Sequence, residues 1–199
     1  MTVPPLDTPR LQIRPFIGED LETIYQILDV ELGEPEETVP EAQRLAERRR
    51  WLEWTVLSYE ELARLHQPPY GDRAIVLKET GQLIGACGYA PCLNVFDLIP
   101  ALRPQPDQPP TRLYSSEVGL YWAISPAHQK QGYATEAGAA LINYGFTQMQ
   151  LRRIVATTNY DNRASQAVML KLGMRLEHNP EPEPPWLQVV GILDNPRLA

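Results

Sequence analysis

Glu117-Val-Gly-Leu-Tyr-Trp-Ala-Ile-Ser-Pro-Ala-His-Gln-Lys-Gln-Gly-Tyr-Ala-Thr-Glu-Ala137 is the stretch that decides the fold. Its first nine residues read as an alternating apolar strand ending at Ser125, a short turn follows, and Gln129 to Ala134 opens a helix. The first turn of a helix carries backbone N–H groups with no partner inside the helix, at the positive end of the helix dipole. Phosphate oxygens fit there. Gly132 and Ala134 let the backbone approach a bulky anion, and Gly132 can take dihedral angles closed to other residues. Lys130 adds positive charge at the rim. Gln129, Lys130, Gln131, Gly132, Tyr133 and Ala134 therefore form a candidate diphosphate seat. An ordinary β-turn-α connection is the competing reading, because Gln-x-x-Gly-x-Ala is a weak pattern when taken alone.

The chain has 199 residues, enough for one full α/β core and short for two domains of ordinary size, so a single domain over 1–199 is expected. No apolar run approaches the roughly 20 residues that span a bilayer. The N-terminal residues show no charged segment followed by an apolar one, so a cytoplasmic protein that engages no membrane is expected. The net charge of −7 argues against broad attraction to nucleic acid. Arg48, Arg49 and Arg50 lie among glutamates on a helical stretch and read as a solvated face. Cys87 and Cys92 are read as free thiols, and His66, His128 and His178 are scattered, so no metal is expected.

Outward from the central stretch, Thr8 to Pro15 alternates Leu11 and Ile13 against Gln12 and Arg14, a half-buried strand. Gly18-Glu-Asp20 caps a helix through about Leu28, and after an acidic loop from Glu31 to Pro40 a second helical region runs from Glu41 to Leu65. Arg73–Glu79 and Gln82–Gly88, joined by Thr80-Gly81, read as a hairpin. The residues from Tyr89 to Ser116 hold six prolines and form a long excursion whose apolar side chains pack over something, with the acceptor substrate as one option. Glu117–Ser125 is then a fourth strand, Tyr133 to about Met149 a third helix and Arg153–Thr158 a fifth strand. Asn162 opens a fourth helix that stops at Gly173, and two more strands, Met174–Glu177 and Trp186–Leu193, flank a proline-rich loop. The expected order is β-α-α-β-β-β-α-β-α-β-β. There is no Gly-x-Gly-x-x-Gly or Gly-Lys-Ser/Thr motif to support a dinucleotide or a nucleoside triphosphate.

In this order, Glu117-Val-Gly-Leu-Tyr-Trp, Gln129-x-x-Gly132-x-Ala134 with Thr135-Glu-Ala137, Asn162-x-x-Ser165 and Lys171-Leu-Gly-Met174 together resemble the GNAT acyltransferase superfamily. Within it they are similar to the branch of the ribosomal-protein N-terminal acetyltransferases. Thr8 to Pro15 also looks like that branch's first strand. The resemblance implies a mixed, mostly antiparallel sheet of six or seven strands, helices on both faces, and splayed fourth and fifth strands. It implies acetyl-CoA as donor, with its diphosphate on the Gln129–Ala134 amides and its pantetheine arm beside Trp122, Ala123 and Ile124. Asn162 matches a position that contacts the cofactor arm, and Ser165 one near the departing thiol.

For the chemistry, an uncharged amine must lose a proton as it attacks the thioester. Glu117 is the candidate base if its side chain faces the reactants; an exposed strand-end glutamate is the equal alternative. Relatives place a tyrosine acid where this chain has Met169, which cannot donate a proton, so Ser165 or water is left to serve the thiolate. The expected function is acetyl transfer to a primary amine, most directly a protein N-terminal α-amine, with a small-molecule amine as the alternative acceptor. A non-catalytic CoA-binding module is the rival from another class. Acyl preference and a monomer or homodimer state stay open.

Overall fold

The computed structural model describes residues 3–33 and 39–198, so part of the acidic loop expected from Glu31 to Pro40 lies outside the described residues. The strands are β1 Leu6–Asp7, β2 Leu11–Pro15, β3 Gly71–Leu77, β4 Leu83–Asn94, β5 Ser115–Ile124, β6 Arg153–Thr158, β7 Arg175–His178 and β8 Val189–Asp194. The helices are α1 Leu21–Tyr25, continued by a π-helical segment Gln26–Glu31, α2 Glu41–Arg64, α3 Tyr133–Thr147 and α4 Arg163–Lys171. The hydrogen-bonded strand order is β1-β2-β3-β4-β5-β6-β8-β7. This is the mixed, mostly antiparallel sheet expected, with eight strands rather than six or seven. The addition is β1, whose two residues pair with Ile13 and Gln12 and are too few to show a period in the sequence.

The chain forms two compact units, residues 1–89 with 121–141, and residues 90–120 with 142–199. In the first unit β2, β3 and β4 are antiparallel neighbours, with a register shift at Ile75/Val76. Phe16, Leu21, Ile24, Ile27, Leu52, Ala74, Val76, Leu83 and Ala86 make its core. Ala74 and Val76 lie two apart on β3, the spacing that puts side chains on one face of a strand. Asp20 does not cap α1 with its side chain. Its carboxylate turns back instead, accepting two bonds from Arg14 at 2.7 and 2.8 Å and one from the Ile17 amide at 2.9 Å. A bidentate guanidinium is the stronger partner for a buried carboxylate.

In the second unit β6 pairs antiparallel with β8, and β8 with β7. Phe96, Leu98, Ile99, Val155, Leu187, Val190 and Ile192 form the core. The proline-rich excursion is therefore in part a core element. Its first residues extend β4 as far as Asn94, and Asp97 then gathers the rest. The Asp97 Oδ2 accepts from the Thr111 amide and hydroxyl, each at 2.6 Å, and from the Arg112 amide at 2.9 Å. Burial alone would raise this carboxyl, but these bonds outweigh it and hold it below its ordinary value. Proline breaks regular structure without preventing a side-chain hub from closing a loop.

β5 and β6 run parallel and register at one pair, Gly119 with Val155. At its other end β5 comes very close to β4: a Cβ on Gly85 would stand 2.1 Å from the Ala123 carbonyl oxygen. Gly85→Ala must push backbone aside, so it should lower stability by about 1–3 kcal/mol and the melting temperature by several degrees. Thermal unfolding followed by circular dichroism checks this.

Candidate active site

In the first unit β5 ends at Ile124, a 3₁₀ turn spans Pro126–His128, and α3 starts at Tyr133. The Gln129 side chain folds back, its Nε2 donating to the Ile124 carbonyl at 3.0 Å. Gln131 Nε2 donates to the Ala127 carbonyl at 3.3 Å. Lys130 and Gly132 both take positive φ, 60° and 86°, which for Lys130 is a conformation that L-residues adopt only at a cost. The helix makes its first inward bond from the Glu136 amide to the Gly132 carbonyl at 3.0 Å. The amides of Tyr133, Ala134 and Thr135 thus precede any helical acceptor, as the sequence reading required. Gln129 to Gly132 are exposed; Tyr133 and Ala134 are half-buried.

A second layer lies beneath this turn, and the sequence reading missed it. Glu136, in the first turn of α3, accepts the Thr8 hydroxyl at 2.6 Å, the Arg10 amide at 2.9 Å and Arg10 Nε at 2.6 Å. Burial raises the Glu136 carboxyl, but the Thr8 and Arg10 bonds overcome that and leave it below its ordinary value. Thr8 and Arg10 entered the sequence reading only as part of the Thr8–Pro15 strand; the long-range pairing with Glu136 has no local signature.

Trp122 and Ala123 are half-buried and Ile124 is buried at the end of β5. Tyr121 on the same strand donates to Asp72 Oδ1 at 2.5 Å, and Tyr59 donates to the Asp72 carbonyl at 2.6 Å. Burial raises the Asp72 carboxyl and holds the Tyr121 hydroxyl well above its usual value. Nearby, the Ser125 hydroxyl donates to Glu31 Oε2 at 2.6 Å beside a cavity of about 340 Å³, which Glu22, Gln26, Gln82 and His128 also line. Glu22 and Glu31 make the wall of this cavity acidic.

In the second unit Glu117 stands on β5 with its Oε1 3.3 Å from Arg153 Nη1, and Arg153 Nε donates to Asp194 Oδ1 at 2.6 Å. Both the Glu117 and Arg153 side chains are about four-fifths buried, at 20% and 22% exposure. Glu117 is thus neither a bare strand-end carboxylate nor an unengaged one. Burial raises its carboxyl, and Arg153 only partly offsets the rise. The Gly119–Val155 register explains the pair, because stepping back two residues along parallel strands sets 117 beside 153. Sequence alone carries that signal only once the register is known.

Asn162 is the N-cap of α4: its Oδ1 accepts the Ser165 amide at 3.0 Å. That bond uses one lone pair of the side-chain oxygen, and the second lone pair and the amide nitrogen remain for a cofactor contact. Ser165 is half-buried at the third helical position. Met169 is 1% exposed and packs against Gly191, where a Cβ would meet its sulfur at 3.1 Å. Methionine at the tyrosine position is therefore a core residue. Tyr160 donates its hydroxyl to the Asn179 carbonyl at 2.5 Å and stacks on His178, a packing role. Cys87 and Cys92 are free thiols, with burial pushing Cys87 up to about 12. Among the described residues no helix is long and apolar enough to cross a membrane.

The profile described as Acetyltransferase (GNAT) domain matches residues 10–175. The chain belongs to the GNAT acetyltransferase family. Across most of its length it is similar to the uncharacterized N-acetyltransferase YoaA of Bacillus subtilis, 28% identical over 87% of this chain and 84% of that protein. Similarity to the uncharacterized N-acetyltransferase YnaD of Bacillus subtilis is higher, 45%, but covers 32% of this chain and only 36% of YnaD. The solved structure of a putative ribosomal-protein-serine acetyltransferase from Vibrio cholerae shares the fold, with a TM-score of 0.65 and 20% identity over 98% of this chain and 99% of that one.

The Asn162 cap is separable from any ligand. Asn162→Ala should cost about 1 kcal/mol and Asn162→Asp, which keeps the capping oxygen, a few tenths at most. Urea unfolding of the two variants beside the parent chain measures the difference.

Proposed function

We propose that this GNAT protein is an N-acetyltransferase that moves the acetyl group of acetyl-CoA to a primary amine, most directly a protein N-terminal α-amine. The observation that carries the donor is the turn from Gln129 to Ala134, whose free amides open α3 with two residues at positive φ. Phosphate is the ligand class that such a helix start favours. Trp122, Ala123 and Ile124 supply the strand edge for the pantetheine arm, and Asn162 contributes its amide nitrogen. The acceptor assignment draws on the resemblance to the ribosomal-protein branch and on the similarity in fold to the putative ribosomal-protein-serine acetyltransferase from Vibrio cholerae. The carboxylates of the cavity beside Ser125 support a cationic acceptor, a small-molecule amine included. Nothing in the composition calls for another compartment than the cytoplasm.

Glu117 acts as base. The neutral amine nitrogen attacks the thioester carbonyl, its proton passes to the Glu117 carboxylate directly or through water, and the carbon–sulfur bond breaks. The departing thiolate takes a proton from water or Ser165, because Met169 has none to give. A carboxyl raised by burial is a stronger base, which suits the step.

Glu117→Gln should lower kcat by about 100-fold while leaving KM for acetyl-CoA near the parent value. Thiol release from acetyl-CoA with a panel of free and N-terminally blocked peptides and small amines reads both quantities. Release with free peptides alone supports the protein acceptor; tight acetyl-CoA binding without release on any amine favours the non-catalytic module. Gly132→Asp should abolish acetyl-CoA binding by calorimetry, since it sets a carboxylate and an unfavourable φ in the seat.

The pH dependence follows from the sign of the Glu117 shift. The base works ionised, so activity falls as pH drops through a value raised above the ordinary carboxylate range. Arg153 opposes that rise, so Arg153→Gln should move the acid limb of kcat to higher pH. Rate profiles of parent and variant on the same amine isolate the movement from the titration of the acceptor.

A further inference from the structure

We propose that Arg10 is a positioning residue for the donor diphosphate: by holding the Gln131 carbonyl it aims the Gly132 amide outward at the seat. The inference rests on the reading of Gln129–Ala134 as that seat.

Arg10 is placed with every nitrogen engaged. Its Nε and Nη2 each lie 2.6 Å from Glu136 Oε2, its Nη1 donates to the Gln131 carbonyl at 3.0 Å, and its amide donates to Glu136 Oε1 at 2.9 Å. Its guanidinium carbon sits 4.4 Å from the centre of the Tyr133 ring. Thr8 holds the other side of the Glu136 carboxylate at 2.6 Å. Glu136 thus anchors the fork, and the fork reaches the turn.

The consequence comes from peptide geometry. A trans peptide is planar and points its C=O and N–H in opposite directions. Pinning the Gln131 oxygen to Arg10 therefore turns the Gly132 N–H away from Arg10. The Gln131–Gly132 peptide lies between Lys130 and Gly132, both at positive φ, so the turn persists only where surrounding contacts over-determine it. Glu136 would by itself place a negative charge in the first turn of α3, beside the phosphates. Arg10 neutralises that charge with the same fork that holds the turn. A Cβ on Gly132 would stand at ordinary contact, 3.4 Å from Arg10 Nη2, so it is the positive φ that asks for glycine there. Lysine cannot replace the fork, because one ammonium does not reach Glu136 and the Gln131 carbonyl in a single planar arrangement.

The test compares acetyl-CoA with S-acetyl-pantetheine, which lacks the diphosphate, in the full chain and in Arg10→Ala and Arg10→Lys. Both variants should raise KM for acetyl-CoA about tenfold or more, keep kcat near the parent value and leave KM for S-acetyl-pantetheine unchanged. Parent-like behaviour of Arg10→Lys overturns the proposal, because charge alone would then suffice. Equal losses with both donors overturn it too, as the role would be general stability. If Arg10→Ala fails to fold, Thr8→Val and Glu136→Gln each remove one support of the fork and should raise KM for acetyl-CoA in the same selective way; no change in either overturns it. If the parent chain uses both donors with equal KM, it is the diphosphate seat itself that falls.

Discussion

The proposed donor seat in the first unit depends on where the backbone of α3 begins to satisfy itself. The Glu136 amide finds the Gly132 carbonyl, and the amides ahead of it have no helical partner. A helix that starts free of its own bonds can bind an anion only if the chain leading to it is held still. Here the lead-in is held from three sides: Gln129 folds onto the end of β5, Gln131 onto Ala127, and Arg10 onto the Gln131 carbonyl. The two residues at positive φ are the local cost of that shape, and the side-chain bonds offset it.

The residues of β5 are divided between the two units. Toward its C-terminal end the strand meets β4 so closely that only glycine fits at position 85. Toward its N-terminal end Glu117 is held by Arg153, which Asp194 holds in turn. Arg153 lowers the Glu117 carboxyl, yet burial raises it by more. In the proposed role of Glu117 as base, Arg153 would both orient and moderate it.

Where information was local, the sequence carried it. Alternation marked β2 and β5, the Thr80-Gly81 turn marked the hairpin of β3 and β4, and Gly132, Asn162 and Gly173 marked the starts and the stop of helices. Asn162 was legible as a helix opener because a cap acts within three residues. What stayed hidden was pairing at a distance: Arg10 with Glu136 is 126 positions apart, and Arg153 with Glu117 depends on a parallel register that no local period encodes. The excursion after Tyr89 was half-read. Its prolines did not keep regular structure out of its first residues, where β4 runs through Pro91 to Asn94, and the hub at Asp97 that lets Phe96, Leu98 and Ile99 enter the core consists of bonds 14 and 15 residues away. β1 was missed because two residues have no period.

On the proposed reading, the free amides before Glu136 bind the diphosphate of the donor. Amide-resolved NMR of the full chain titrated with acetyl-CoA, and separately with S-acetyl-pantetheine, examines those groups one by one. The amides from Lys130 to Thr135 should shift strongly with acetyl-CoA and little with the truncated donor. Saturable acetyl-CoA binding that leaves those amides unmoved would rule the diphosphate seat out.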